Sequence, residues 1–372
     1  DMRAVQASLL APWRRFWRPM TSEAWRLRRT ELRDLLNKYE KAVEDDAYGL
    51  LRPGTRELEL LGENVFSTRR ELLRKARETN RAFIEAFIED IPDLCVPLES
   101  YGQQSRCVAE VRCLGDCPGP LPPGSYGSMS SILLHLLRDW STTCDVVKST
   151  YEPVVALLCK MLPGGEVLLP GAGLGRLALE IARKGFRVEA NDASRLFLTA
   201  ADFLLNRAPQ LPILPVAHLF SENWSLAEQH REIIVPQPSP SSLCPEGMPP
   251  IVLVPGDFRS IYKLGGAGHR KFDAIVTCFF IDTMTDFAST VDTMDGLLGE
   301  GGVWINIGPL NWKKDAGLKL CWEEVVAAWE SLGYTFLTQE RLYCDYHLPQ
   351  GLRMYTESYQ CSFSAAVKQK RT

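Results

Sequence analysis

Histidine is scarce in this chain, at five residues in 372. That leaves little material for a metal centre built on imidazole. Charge of one sign is lacking as well. The 42 basic and 46 acidic side chains leave a net charge of −4, so the protein as a whole exerts no electrostatic pull on nucleic acid or anionic lipid; a local basic face remains open. No apolar run approaches the length of a transmembrane helix. The N-terminus lacks a signal-peptide pattern, since Leu9-Leu-Ala-Pro12 is short and Trp13-Arg-Arg-Phe-Trp-Arg18 interrupts it, and Asp1 suggests a trimmed chain. Paired cysteine spacing is also missing. The 11 cysteines are an odd number with no C-x-x-C, which fits reduced thiols and a cytoplasmic setting, with the nucleus also open. The closest group, Cys107, Cys113 and Cys117, has no nearby histidine, so a zinc site is the minor reading and no metal is expected.

What is present is an ordinary globular composition, 45% hydrophobic and 24% charged, on a chain long enough for one large domain and an accessory one. Residues from about 21 to 95 predict helices: Trp25, Leu32, Leu35, Leu36 and Tyr39 recur at helical spacing, as do Leu72, Leu73, Phe83, Phe87 and Ile91. The arginines here alternate with acids, which reads as a solvated helical face ahead of an RNA-binding one. Residues 115–128 are dense in proline and glycine and read as a linker between an N-terminal helical region, 1–114, and a second domain, 129–372. Residues 207–250 are too long for a connector and read as an insertion.

The second domain is organised around Glu166-Val-Leu-Leu-Pro-Gly-Ala-Gly-Leu-Gly175 and the helix after it. Val167 to Leu169 form a strand buried on both faces. Gly171, Gly173 and Gly175 make a turn that a ligand can approach, because glycine carries no Cβ. The spacing is G-x-G-x-G; the third glycine of the dinucleotide fingerprint is replaced by Arg176. Asp192 ends the next strand about 20 residues on, where a βαβ unit sets a carboxylate against a ribose diol. Together these argue a nucleoside-containing cofactor, S-adenosylmethionine ahead of NAD or FAD, with a turn that binds nothing as the bland alternative. Further strands are predicted at Ile251–Pro255, 272–280 and 301–308, with helices between and two closing strands at 334–342 and 353–367. Gly171, Asp192, Asp257 and Cys278 then fall at successive strand ends, the edge where doubly wound sheets bind ligands. The expected fold is α/β, a doubly wound, seven-stranded, Rossmann-like class I methyltransferase sheet preceded by helices.

Arg138-Asp-Trp-Ser141, Leu168-Leu-Pro-Gly-Ala-Gly-Leu-Gly-Arg-Leu-Ala178, Gly256-Asp-Phe258, Thr277-Cys-Phe-Phe-Ile-Asp-Thr283 and Trp304-Ile-Asn-Ile-Gly-Pro-Leu310 resemble the carnosine N-methyltransferase family. The resemblance covers about residues 130–367. It implies an enzyme that uses S-adenosylmethionine to methylate the imidazole of carnosine, giving anserine. It also implies a small-molecule partner, with no nucleic acid or membrane and a homodimer left open. By position it implies cofactor contacts at His135 (where the family has Gln), Arg138, Gly171, Gly173, Asp192 (where the family usually has Glu), Asp257, Phe258 and Cys278. It implies substrate contacts at Asp282, Tyr346 and Tyr359. Two positions depart from the family: Lys313 stands where it has a substrate-binding His, and Glu357 where it has a Tyr.

Imidazole is largely neutral and nucleophilic at pH 7. A carboxylate accepting from one ring N–H would select the tautomer with its lone pair on the other nitrogen and stabilise the developing charge. Asp282 is the expected catalytic group; the bland alternative makes it a helix N-cap. Tyr359 could be a core strand residue, and Arg138 a surface partner of Asp139. Methyl transfer to protein histidine or RNA, and a cofactor-binding protein without catalysis, stay open as other functions.

Overall fold

In the computed structural model, residues 29–89, 108–112, 114, 128–346 and 352–370 are described. Trp25, Ile91, Cys107, Cys113, Cys117 and nearly all of the 115–128 stretch lie outside them. The sequence pattern produces helix α1 (Arg29–Asp46), two short helices, and α2 (Glu63–Glu89). Leu32, Leu36 and Tyr39 of α1 and Leu73, Phe83 and Phe87 of α2 are buried. The intervening arginines pair with acids, as in Arg74 with Glu71 and Glu78, and Arg77 with Glu44. That is the solvated face expected.

The strands are β1 (Ala109–Val111), β2 (Glu166–Pro170), β3 (Arg187–Asp192), β4 (Leu211–Ile213), β5 (Ile233–Val235), β6 (Ile251–Pro255), β7 (Phe272–Cys278), β8 (Leu298–Gly308), β9 (Tyr334–Asp345) and β10 (Ser358–Lys368). Eight form one sheet in the order β1-β6-β3-β2-β7-β8-β10-β9. Pairing is parallel from β1 to β8, and β10 inserts antiparallel between β8 and β9. Seven of these make the expected doubly wound sheet. The eighth, β1, adds parallel to β6 with Ala109 opposite Ile251; three residues within a stretch read as helical are too short to show a period.

Helices α3 (Met129–Trp140), α4 (Glu152–Met161), α5 (Arg176–Ala182) and α6 (Arg195–Asn206) follow in the chain, then α7 (Phe287–Leu297) and α8 (Trp322–Ser331). They cover both faces. Val167, Leu169, Ala274 and Val303 face one apolar cluster, while Leu168, Ile275 and Trp304 face the other. This is the alternation of a strand buried on both sides. Leu32, Leu36, Phe83 and Phe87 join the first cluster, so the N-terminal helices share a core with the sheet. On the second face Trp304 stacks on Trp329 of α8 at 4.1 Å. Within the 207–250 insertion β4 pairs antiparallel with β5. Asn80 of α2 bonds both the carbonyl and the N–H of Leu214 beside it.

Chain direction reverses its lateral travel at β2. It runs outward through β3 and β6, then crosses back to β7 and β8. The carboxyl ends of β2 and β7 therefore border a crevice at the topological switch point.

Candidate active site

The turn after β2 holds Gly171, Gly173 and Gly175 at φ +70°, +56° and +78°. Their surroundings differ. A Cβ at Gly171 would come within 2.8 Å of the Phe280 ring, and one at Gly175 within 3.0 Å of Leu205. A Cβ at Gly173 would meet nothing within 4 Å. Gly173 is thus the point where the backbone is open to a ligand. Its N–H donates to Oδ2 of Asp192 (2.9 Å), and the Ser194 N–H donates to Oδ1 (2.8 Å). The sequence reading assigned Asp192 only to a ligand; it also ties the glycine turn to the end of β3. An ionised carboxylate can accept about four hydrogen bonds, so each oxygen keeps capacity. Burial raises the Asp192 pKa, opposed by the two N–H bonds and by the positive charge of Lys313.

Arg138, in the last turn of α3, grips Asp139 with two hydrogen bonds, of 2.6 and 3.0 Å. Asp139 also accepts from the Tyr151 hydroxyl at 2.7 Å. The Asp139 side chain is only 2% exposed, so the surface-pair reading of this dipeptide does not hold. The Arg138 guanidinium lies 5.1 Å from the centre of the Tyr346 ring. With Gly171, Tyr151, Cys278 and Phe279 it lines a pocket between the glycine turn and the end of β7. His135, one turn earlier, bonds the Ser131 carbonyl and sets its ring edge-on to Phe197 of α6 at 4.7 Å. It stands beside the β3 end of the site.

Past β7 the backbone turns abruptly. Phe279 has φ +51°, a left-handed conformation unusual for a bulky residue. Its N–H bonds the Ile307 carbonyl at 2.8 Å. Gly308 makes room, since a Cβ there would sit 3.1 Å from the Phe279 backbone. Strand β7 therefore ends at Cys278, two residues before the expected limit. The Cys278 thiol is pushed up to about 12 by burial, so it stays protonated. The kink aims Phe279 at Tyr346 (4.9 Å between ring centres) and Tyr359 (6.0 Å), which touch each other edge-on at 5.7 Å. Tyr346 and Tyr359 belong to this aromatic wall; the Tyr359 hydroxyl meets Glu357 at 3.4 Å and the Asn311 side chain.

Asp282 sits in a single 3-10 turn, Ile281–Thr283, and is 7% exposed. The helix that follows is capped by Asp286, which accepts from the Ser289 N–H at 3.1 Å. The N-cap reading of Asp282 is thereby replaced. Its Oδ2 accepts from the Asn311 N–H at 3.0 Å, and its carbonyl accepts from the Lys313 N–H. Burial raises its pKa from 3.8 to about 6, against the Asn311 bond and the Lys313 charge. Asp257 is exposed and caps the short helix Phe258–Tyr262 through Ser260. Phe258 reaches the site indirectly, its ring 5.8 Å from that of Phe280, which in turn covers Gly171.

The site thus joins Gly173, Asp192, Arg138 and Cys278 to an aromatic wall and a buried carboxylate. Phe279, Asn311, Tyr151 and Asp139 were missed. Asn311 acts through its backbone N–H and Phe279 through a backbone angle, neither of which has a residue-type signature. Cys107, Cys113 and Cys117 lie outside the described residues. Among the described residues no group of His, Cys, Asp and Glu is placed to hold a metal, and no helix is long and apolar enough to cross a membrane.

The sequence model of the family described as carnosine N-methyltransferase matches residues 123–370. The mouse (Mus musculus) carnosine N-methyltransferase is 32% identical over 265 residues, covering 66% of this chain and 65% of that protein. The Schizosaccharomyces pombe protein of that name is 36% identical over 193 residues, 49% of this chain and 51% of its own length. The chain therefore spans less than two thirds of the length of these relatives. Among solved structures, TehB from Haemophilus influenzae aligns over 60% of this chain and 66% of its own, at TM-score 0.39 and 12% identity. That likeness is too slight to bear on function.

Proposed function

The chain belongs to the carnosine N-methyltransferase family, and on that premise we propose that it methylates an imidazole nitrogen of carnosine or a related histidine compound, using S-adenosylmethionine. The residues present fit that cofactor. A Cβ at Gly173 would meet no protein atom, so the space against that backbone is open for the cofactor to approach, and the Asp192 oxygens retain acceptor capacity for a ribose diol. Arg138 would hold the methionine carboxylate, since a guanidinium fork suits that group. His135, Asp257, Phe258, Gly171 and Cys278 would border the rest. When bound, the cofactor supplies an activated methyl group open to in-line displacement.

The chain's own contribution is orientation and charge. The observation that carries the proposal is Asp282, a buried carboxylate at the carboxyl end of β7, fixed by the Asn311 N–H. Accepting from one ring N–H, it leaves the other nitrogen's lone pair for the methyl carbon. It also stabilises the positive charge that grows on the ring. Holding the ring in an attack geometry contributes several kcal/mol more, within the range of roughly 7–11 available from orientation. The wall of Phe279, Tyr346 and Tyr359 would confine the ring. Lys313 offers a cation to a substrate carboxylate, and Glu357 an anion to an ammonium group. Because both depart from the family, we infer a weaker preference for carnosine itself, or a preference for another imidazole compound. A cytoplasmic or nuclear location belongs to the same proposal, supported by the free thiols of Cys144, Cys159, Cys278, Cys321, Cys344 and Cys361.

The test offers methyl-labelled cofactor with carnosine, free histidine, histidine peptides and RNA. Transfer to an imidazole compound is expected; for carnosine the labelled product would be anserine. Transfer to RNA alone, or to nothing, would refute the proposal.

A further inference from the structure

The N-terminal helices and the 207–250 insertion have no part in the chemistry above. They are connected to it through the start of the segment that leads into β10. Leu352 is buried in the main core, and Arg353 beside it is 6% exposed. A side chain with that much hydration to lose needs partners. Arg353 Nη2 donates to the Ser221 carbonyl in the insertion and lies 3.6 Å from the Glu222 carboxylate. Its guanidinium sits 5.2 Å from the centre of the Tyr355 ring. The Met354 N–H then donates to the Glu222 carbonyl at 2.8 Å. Glu222 accepts that bond from a left-handed backbone, φ +58°, a conformation that needs support from its surroundings.

The insertion is itself held from behind. Asn80 of α2 bonds Leu214 at both its N–H (2.7 Å) and its carbonyl (3.0 Å), and also reaches the Tyr39 hydroxyl. The Tyr39 ring meets His218 edge-on at 5.8 Å. Gln229 bonds the carbonyls of Ala217 and Leu219. On the other side, four residues beyond Arg353, the Glu357 carbonyl accepts from the Tyr346 N–H at 2.8 Å. Contacts therefore run from α1 and α2, through 214–223, to Arg353, and on to Glu357, Tyr346 and Tyr359.

We propose that Arg353 is a positioning residue for the substrate side of the site, and that the N-terminal helices and the insertion are the brace to which it is anchored. It touches neither cofactor nor substrate. Its effect is to hold residues 352–357 so that Tyr346 and Glu357 meet and the aromatic wall keeps its shape. That the wall faces an imidazole substrate rests on the proposed function; the brace itself does not.

Two disruptive variants and one conservative variant test this: Arg353→Met and Tyr355→Ala, with Arg353→Lys beside them; Tyr355 is 39% exposed, so its loss leaves the core intact. Kinetics are run with the imidazole compound that the parent methylates fastest. Arg353→Met should raise KM for that compound about tenfold, the loss of the charged hydrogen bond that ties residues 352–357 to the insertion, with S-adenosylhomocysteine affinity within about twofold. Arg353→Lys should recover part of it, since a lysine keeps the charge but loses the fork. Tyr355→Ala should raise KM about two- to fivefold, as befits one exposed cation–π contact. Amide exchange of Tyr346 should speed up in both variants while that of Gly173 and Ser194 does not. Exchange needs no substrate, so it judges the brace even where the substrate panel fails, and Tyr355→Ala judges it if Arg353→Met does not fold. Unchanged Tyr346 exchange, or an equal rise at Gly173, overturns the proposal.

Discussion

Replacing Asp282 by Asn should make the protein more stable and much less active. The two effects have one cause. Asp282 is almost fully buried, with one strong bond from the Asn311 N–H. Burial holds its carboxyl above the usual range, at about 6 rather than 3.8. The folded protein thus binds this proton more tightly than the unfolded chain does. Asp282 contributes stability that is complete below pH 3.8 and is lost as pH rises through about 6. At roughly 1.4 kcal/mol per pKa unit, the ionised group costs the fold up to about 3 kcal/mol at neutral pH. Asparagine has the same shape and still accepts from Asn311 without that cost. At about 2.1 cal/mol/K per residue, the unfolding entropy of this chain is roughly 0.8 kcal/mol/K, so the gain in Tm is up to about 4 °C. Activity moves the other way. A carboxylate about 4 Å from a charge growing on the substrate ring is worth roughly 4 kcal/mol at an effective dielectric of about 20. Losing it should cut kcat by about a hundred- to a thousandfold. Calorimetric melts at pH 4 and pH 7, with turnover at pH 7, check both arms. The Tm difference should be positive at pH 7 and shrink towards pH 4. A destabilised Asn variant at pH 7, or one that retains turnover, would falsify the reasoning.

Gly173→Val should abolish S-adenosylmethionine binding by calorimetry, since its side chain enters the open space beside the turn; at φ +56° it should also lower stability by about 1–2 kcal/mol. Arg138→Ala should weaken S-adenosylmethionine and S-adenosylhomocysteine equally, and it should destabilise the fold by about 3–5 kcal/mol because Asp139 is left buried without its partner. Unequal loss of the two affinities would remove Arg138 from the methionine end. Lys313→Met should raise the Asp282 pKa further, because the lysine charge now lowers it, and so move the acidic limb of the pH–rate profile upward. Lys313→His should increase carnosine turnover, and an unchanged rate would show that this position does not set substrate choice.

Much of the fold was legible because it rests on local pattern. The doubly buried β2, the glycine turn and the following helix all appear in consecutive residues. The short strand β1 did not, since three residues have no period and only the free edge of β6 gives them a partner. Strand β9 runs to Asp345 and β10 begins only at Ser358, because pairing with a neighbour, not propensity, sets where a strand stops. In the site, the residue types were visible but their partners were not. Asp282 is the expected catalytic group with a helix cap as its bland alternative, and the structure gives that cap to Asp286, four residues later.

The sequence alone determined the elements, the order of the strands' chemistry and the residues at their carboxyl ends, because helix and strand periods and glycine's missing Cβ act over a few residues. Only the tertiary structure decided what those residues do to each other. It buried Asp139 beneath Arg138, turned Phe279 into the left-handed region to meet Tyr346 and Tyr359, and joined Asn80 through the insertion to Arg353. Each of these depends on groups far apart in the chain, and a pKa such as that of Asp282 depends on how much water its neighbours exclude. Burial and contact across such distances are properties of the packed chain, and no local pattern carries them.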